Sequence, residues 1–260
     1  MITALLVIIC IAIAAGLIWL IFTKDKVVAR TWGIVGLSFI IGLTVFGYFF
    51  MQSRQAPTSL RVVGYASKLF ESDLVKWNLT MQRNVSHDGL KDGYNKMSND
   101  VNAFKNYLEE QGIPEKDISI QPINSYQTTD NYGNPTGYAL NQNVFIVSSD
   151  IPKIENLSLK PDFFAERGIL LQNSNLAYLY TKLPDLKKQL LSEATKDAVA
   201  RAEEIAGSGN TKLGKLREAR AGVFQITEPY STEVSDYGIY NTSTRSKSIS
   251  VTLTAIFKLK

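Results

Sequence analysis

Cysteine and histidine are almost missing from this sequence, which has one of each in 260 residues. Cys10 lies inside an apolar run, so no disulfide can close within the chain and no thiolate cluster can hold a metal. A cysteine-free remainder suits an oxidising compartment, although many cytosolic domains share the trait. His87 sits in the polar stretch Arg83–Asn84–Val85–Ser86–His87–Asp88. One imidazole with no cysteine or second histidine makes a poor transition-metal site, and it reads as a solvated loop residue. Nucleophilic catalysis is limited by the same scarcity. A serine would have to take His87 as its base, and nothing around that residue resembles a nucleophile elbow. The sequence assigns no catalytic residue, no cofactor and no metal.

Excess charge is also missing. Once Lys24, Lys26, Arg30 and Asp25 are set aside, 25 of the 28 bases and 23 of the 24 acids remain. A part that close to neutrality has no footprint for a phosphate backbone, which argues against nucleic acid as a partner. The glycine-rich Ala206–Gly207–Ser208–Gly209–Asn210 is no phosphate loop, because it follows a helical pattern and lacks a Gly-Lys-Ser/Thr ending. It reads as a helix C-cap. Glu109–Glu110 and Glu203–Glu204 are neighbours on helical patterns and point about 100° apart, so they read as solvated faces. Asn78, Asn84, Asn156 and Asn241 meet the glycosylation acceptor pattern, which carries little weight without a eukaryotic secretory setting.

Apolar residues, in contrast, are concentrated in the first fifty positions. Ile2 to Phe22 is apolar apart from Thr3, and Trp32 to Met51 is interrupted only by Ser38 and Thr44. Each run is about 20 residues, or roughly 30 Å as a helix, matching a hydrocarbon core. Trp19, Trp32 and Tyr48 lie near the ends, where amphipathic rings favour the headgroup zone. The expectation is a two-pass anchor in the cytoplasmic (inner) membrane, with the lipid bilayer as a partner. The connection Thr23–Thr31 carries three bases and is expected on the cytoplasmic side, leaving both termini and the main domain outside. A cleaved signal peptide is the competing reading. The first run lacks a basic leading segment, and cleavage behind Ala56 would put Arg54 where a small residue belongs. Residues 52–59 then read as a linker containing Pro57, and 60–260 as one extracytoplasmic domain.

Periodicity sets the element order of that domain. Arg61–Ala66 and Leu74–Val85 predict two strands forming a hairpin, the second with Val75, Trp77, Leu79 and Met81 on one face. Leu90, Tyr94, Met97, Val101, Phe104 and Leu108 fall on one helical stripe, stopped at Gly112. Asp117–Thr128 and Gly137–Ser149 predict a second hairpin around Asp130–Pro135. The run Val144–Val147 is apolar on both faces, as in a sheet covered on both sides. A helix from Pro152 to Arg167, a strand from Ile169 to Tyr180 and a long helix from Pro184 to Ala206 follow, the last burying Leu186, Leu190, Ala194, Ala198, Ala202 and Ile205. Lys212–Ile226 and Ser248–Leu259 close as two strands, the last with strict alternation. The order ββαββ–αβαββ predicts an α+β fold, helices laid on mainly antiparallel sheet. A division into two subdomains near residue 150 is an option that no internal repeat establishes.

Six tyrosines stand in polar loops: Tyr126, Tyr132, Tyr138, Tyr230, Tyr237 and Tyr240. Tyrosine supplies contact area at little entropy cost, so these are candidate interface residues as well as ordinary loop tyrosines. The long loop Pro229–Lys247 is expected to be either mobile or ordered by a neighbouring subunit.

Val62–Val63–Gly64–Tyr65–Ala66, Gly112–Ile113–Pro114–Glu115–Lys116–Asp117–Ile118 and Gly137–Tyr138–Ala139–Leu140–Asn141–Gln142–Asn143–Val144 together resemble the SIMPL-domain family of bacterial envelope proteins. So do the Ala-rich helix Ala194–Ala206, the following Leu213–Gly214–Lys215–Leu216, and the terminal Val251–Phe257. The resemblance implies an extracytoplasmic α+β domain that in some members assembles into large homo-oligomeric rings, with no agreed catalytic residues. This chain departs from the pattern in having two apolar runs where many relatives have a cleaved signal. The expected function is a non-enzymatic, membrane-anchored scaffold whose domain associates with itself in a ring or cage. The alternatives are an envelope sensor or binding module that takes another envelope protein on its tyrosine loops, and an enzyme with an unrecognised carboxylate site.

Overall fold

The computed structural model describes residues 13, 15–16, 26–54 and 58–260. The chain divides into two compact units, Met1–Thr58 and Ser59–Lys260.

The first unit contains helix α1, Lys26–Arg54. Its stretch Thr31–Ser53 is 23 residues long, apolar, and not buried against the rest of the protein. That length and composition fit a membrane anchor or a signal sequence, and its exposure is unlike that of a core helix, which is mostly buried. Ser38 donates to the Ile34 carbonyl at 2.9 Å and Thr44 to the Ile40 carbonyl at 2.8 Å, so these hydroxyls are satisfied within the helix, as an apolar medium requires. As far as the described residues reach, the helix takes in Lys26 to Arg30 of the expected basic connection, where no glycine or proline stands to break it. It also runs past Met51 to Arg54, shortening the linker. The first apolar run, Ile2 to Phe22, lies outside the described residues apart from Ile13, Ala15 and Gly16. Among the described residues one helix, not two, has the length and polarity of a membrane span.

The second unit is α+β and holds two mainly antiparallel sheets, each with its own core. The central sheet comprises β2 (Leu74–Val85), β3 (Ile118–Ile120), β4 (Asn124–Thr129), β5 (Pro135–Ser148) and β6 (Leu170–Leu179), in the order β3-β5-β2-β6 with β4 also on β5. Helix α2 (Leu90–Glu110) lies on it. Val75, Trp77, Leu79 and Met81 of β2 pack with Met97, Val101, Phe104 and Leu108 of α2, and with Phe163 and Phe164. Gly112, at φ +78°, ends the helix: its N–H bonds the Glu109 carbonyl and that of Ile113 the Leu108 carbonyl.

The terminal sheet joins the two ends of the domain. β1 (Ser59–Glu71) runs antiparallel to β10 (Ser246–Leu259) along its whole length, from Ser59 opposite Lys258 to Glu71 opposite Ser246. The other edge of β10 carries β7 (Leu213–Ala221) and then β8 (Gln225–Thr227), and β9 (Ile239–Tyr240) pairs with β8 in parallel. The long helix α5 (Leu183–Ser208) buries Leu186, Leu190, Ala194, Ala198 and Ala202 against Val62, Ala66, Val251, Leu253 and Ala255.

Several expectations are corrected. β1 and β2 form no hairpin. The connection Ser72–Asp73 is held by other strands, Ser72 N–H on the Arg245 carbonyl and Asp73 N–H on the Leu179 carbonyl, while the Asp73 carboxylate accepts from Thr181. The chain therefore crosses from one sheet to the other. The helix expected from Pro152 to Arg167 is two, α3 (Ile151–Ser158) and α4 (Asp162–Glu166), parted at Pro161. The strand expected from Lys212 to Ile226 breaks after Ala221, where the chain steps from one stretch of β10 to the next. Ile205 is exposed and Ala206 takes its place inside, continuing the four-residue step from Ala194. Phe145 and Val147 are half-buried, with the Lys76 ammonium 4.4 Å from the Phe145 ring centroid, so that face of β5 is not covered by a helix. Nor do the two sheets part near residue 150: residues 74–179 build one, and both flanking segments build the other.

Candidate interaction surface

The outward face of the terminal sheet presents Arg61, Val63, Tyr65, Ser67 and Leu69 of β1 beside Ile256, Thr254, Thr252, Ser250 and Ser248 of β10. Val63, Tyr65 and Leu69 are each about half exposed. β1 is thus apolar on both faces, one closed by α5 and the other open. Gly64 makes that closure possible. A Cβ there would collide with the Ala194 carbonyl and stand 2.7 Å from the Ala198 Cβ. The helix also caps the edge of β1, since Asp197 accepts the Tyr65 N–H at 2.8 Å and is held by Arg201 Nε at 2.8 Å. The Tyr65 N–H, with Arg201 adding to it, keeps the Asp197 carboxyl below its ordinary range.

The segment 228–245 arches beside this face. Its residues Val234–Asp236 line a cleft of about 520 Å³ with Tyr65, Gly222, Val223 and Thr252. Its residues Tyr237–Tyr240 line a second, of about 420 Å³, with Leu183, Lys187, Phe224 and Ile226. The arch is fixed by its own chain. Gln225 donates to the Ser235 carbonyl at 2.7 Å and accepts the Ser235 N–H, Asn241 N–H bonds the Ile226 carbonyl at 2.8 Å, and the Asn241 side chain donates to Glu228 at 2.7 Å. Tyr178 N–H bonds the Thr242 carbonyl at 2.7 Å. The loop expected to be mobile or ordered by a neighbour is ordered within one chain.

The far end of the arch is locked into the junction of the two sheets. Arg245 reaches Glu71 at 3.5 Å and Glu155 at 3.9 Å, and Glu155 accepts the Tyr178 hydroxyl at 2.8 Å. Lys247 is fully buried, donates to the Thr244 carbonyl, and lies 6.0 Å from the Tyr178 ring centroid. Burial pushes its ammonium down to about 8; burial and the bond to Glu155 push the Tyr178 hydroxyl up to about 12. Glu71 and Glu155 converge on Arg245 and tie this end of the arch to the junction. Among the described residues no group of three histidine, cysteine, aspartate or glutamate side chains is placed to hold a metal.

The six tyrosines fall in two groups. Tyr126, Tyr132 and Tyr138 lie on the β4–β5 hairpin of the central sheet, Tyr132 at its tip and 91% exposed, Tyr138 stacked on His87 at 5.5 Å. Tyr230, Tyr237 and Tyr240 lie on the arch. Tyr230 and Tyr237 are 93% and 97% exposed, and Tyr230 holds a left-handed backbone, φ +63°. Sequence reasoning missed Val63, Tyr65, Leu69, Val223 and Val234. The signal was the unbroken apolar pair Val62–Val63 in a strand expected to alternate.

These features define a two-sheet α+β domain with a rigid aromatic arch beside an open sheet face. Residues 60–256 match the SIMPL family, described as proteins of unknown function (DUF541), and the chain belongs to that family. No curated protein matches it.

Proposed function

We propose that this protein is a non-enzymatic scaffold of the bacterial envelope, tethered to the cytoplasmic membrane by its apolar N-terminal segment with the SIMPL domain and both termini outside. The domain associates with further copies of itself into a ring or cage, through the open face of the terminal sheet and the arch beside it. One observation carries the reading. Tyr230 and Tyr237 stand almost wholly in solvent on a loop already made rigid by hydrogen bonds, so docking them costs little further ordering. Val63, Tyr65, Leu69 and Val234 extend the same apolar surface beyond scattered single residues.

Light scattering of the full chain in mild detergent is the test. A multi-subunit particle is expected, reduced to smaller species in Tyr230→Ser/Tyr237→Ser; a monodisperse monomer overturns the reading. The cleft between Lys187, Phe224 and Tyr237–Tyr240 favours a second reading, a binding module for another envelope protein. Deleting residues 230–240, which spares Asn241, Thr242 and Thr244 as well as Arg245 and Lys247, separates the two. Partner capture lost at unchanged particle size supports the binding module.

A further inference from the structure

We propose that the anchor-proximal end of the terminal sheet is a docking surface for anionic lipid headgroups. This inference rests on the membrane-anchored reading above. At this end Ser59 pairs with Lys258, and the backbone of Lys212 pairs with that of Lys260. Arg61, Lys212, Lys215, Arg217, Lys258 and Lys260 therefore gather on the end of three neighbouring strands, β1, β10 and β7, and all six are exposed. None of the six ion-pairs with a carboxylate among the described residues. The one acid on β7, Glu218, faces Arg220 at 3.9 Å. Glu218 also lines a shallow cleft with Arg61 but makes no ion pair with it, so the six cations form a cationic end that ion pairs do not neutralise.

Chain length fixes what this end can meet. Ser59 follows the last residue of α1, Arg54, by five residues, a reach of at most about 18 Å whatever the arrangement of the two units. A tether this short keeps Ser59 within about two Debye lengths of the end of α1, so turning this end of the sheet toward the bilayer brings the cations into the single Debye length over which an anionic surface potential acts. The edge of β1 is capped by Asp197, whereas β7, an edge strand exposed on both faces, holds three of the six cations. Charge on an edge strand also discourages strand pairing, but that role does not require Lys258, Lys260 and Arg61 at the same end.

The test uses the full chain with Cys10→Ser and Ser208→Cys, a donor fluorophore at position 208, and acceptor-labelled headgroups. It is inserted as single copies in nanodiscs of phosphatidylcholine alone or mixed with phosphatidylglycerol. Energy transfer is expected to rise in the anionic discs, fall with added salt, and return to the neutral-disc value in Lys212→Gln/Lys215→Gln/Arg217→Gln. Removing three cations shifts docking on the order of a hundredfold at low salt. Lys212→Arg/Lys215→Arg/Arg217→Lys retains the effect, which separates charge from damage to the fold. Equal transfer in both lipids, or transfer indifferent to salt and to the glutamine variant, overturns the proposal. A chain that fails to remain in any disc overturns the anchor itself, a different result.

Discussion

Tyr230 shows how a single residue can be read as functional. A bulky side chain in a left-handed backbone costs about 1–2 kcal/mol relative to its ordinary conformation, and this one gains no burial in return. Tyr230→Gly is expected to raise stability by about 1 kcal/mol while weakening self-association, read by thermal melts and particle mass. Lys247 is the reverse, a charge placed where it is not welcome. Its ammonium is disfavoured in the fold, so between about 8 and 10.5 the unfolded chain binds more protons and stability rises with pH. Tyr178 keeps its proton longer folded than unfolded, so stability falls again between 10.0 and about 12. Lys247→Met is expected to stabilise on the order of 1 kcal/mol at neutral pH, to abolish the rise and to leave the fall, in melts taken from neutral to strongly alkaline pH.

Among the elements, α5 and β1 set the tightest condition. Alanines at 194 and 198 and glycine at 64 bring helix and strand close enough for Asp197 to reach the Tyr65 N–H. Gly64→Ala is expected to cost about 1–3 kcal/mol, because the added methyl meets backbone instead of a movable side-chain end; urea denaturation measures it. The same pairing explains the stretch Val63–Gly64–Tyr65–Ala66, which periodicity alone reads only as a short strand. The C-cap of α5 was legible, though Asn210 at φ +53°, not a glycine, takes the left-handed position. Its neighbour Thr211 closes the turn on the Ala206 carbonyl at 2.9 Å. Helix α2 was legible to within two residues, because its six stripe residues all pack inward. The break at Pro161 is not legible in the periodicity, because an apolar stripe can continue across a proline that a helix cannot.

For the whole molecule, placement relative to the membrane governs the function proposed. A reporter fused after Lys260 is expected to be active only outside the cytosol; activity confined to the cytosol would remove the envelope role. An apolar run reads directly from the letters because its partner is a uniform medium, needing only length and polarity. The amphipathic stripes of α2 and α5 and the alternation of β10 were fixed in the same way, by each element's own period against one buried side. Which strand pairs with which was not, since β1 meets a partner nearly two hundred residues away, in a register that no local pattern encodes. That long-range pairing set Val63, Tyr65 and Leu69 on an open face. The pairing of β7 and β8 with the other edge of β10 placed the arch of Tyr230 and Tyr237 beside them, and the two pairings together drew six scattered cations to one end of a sheet.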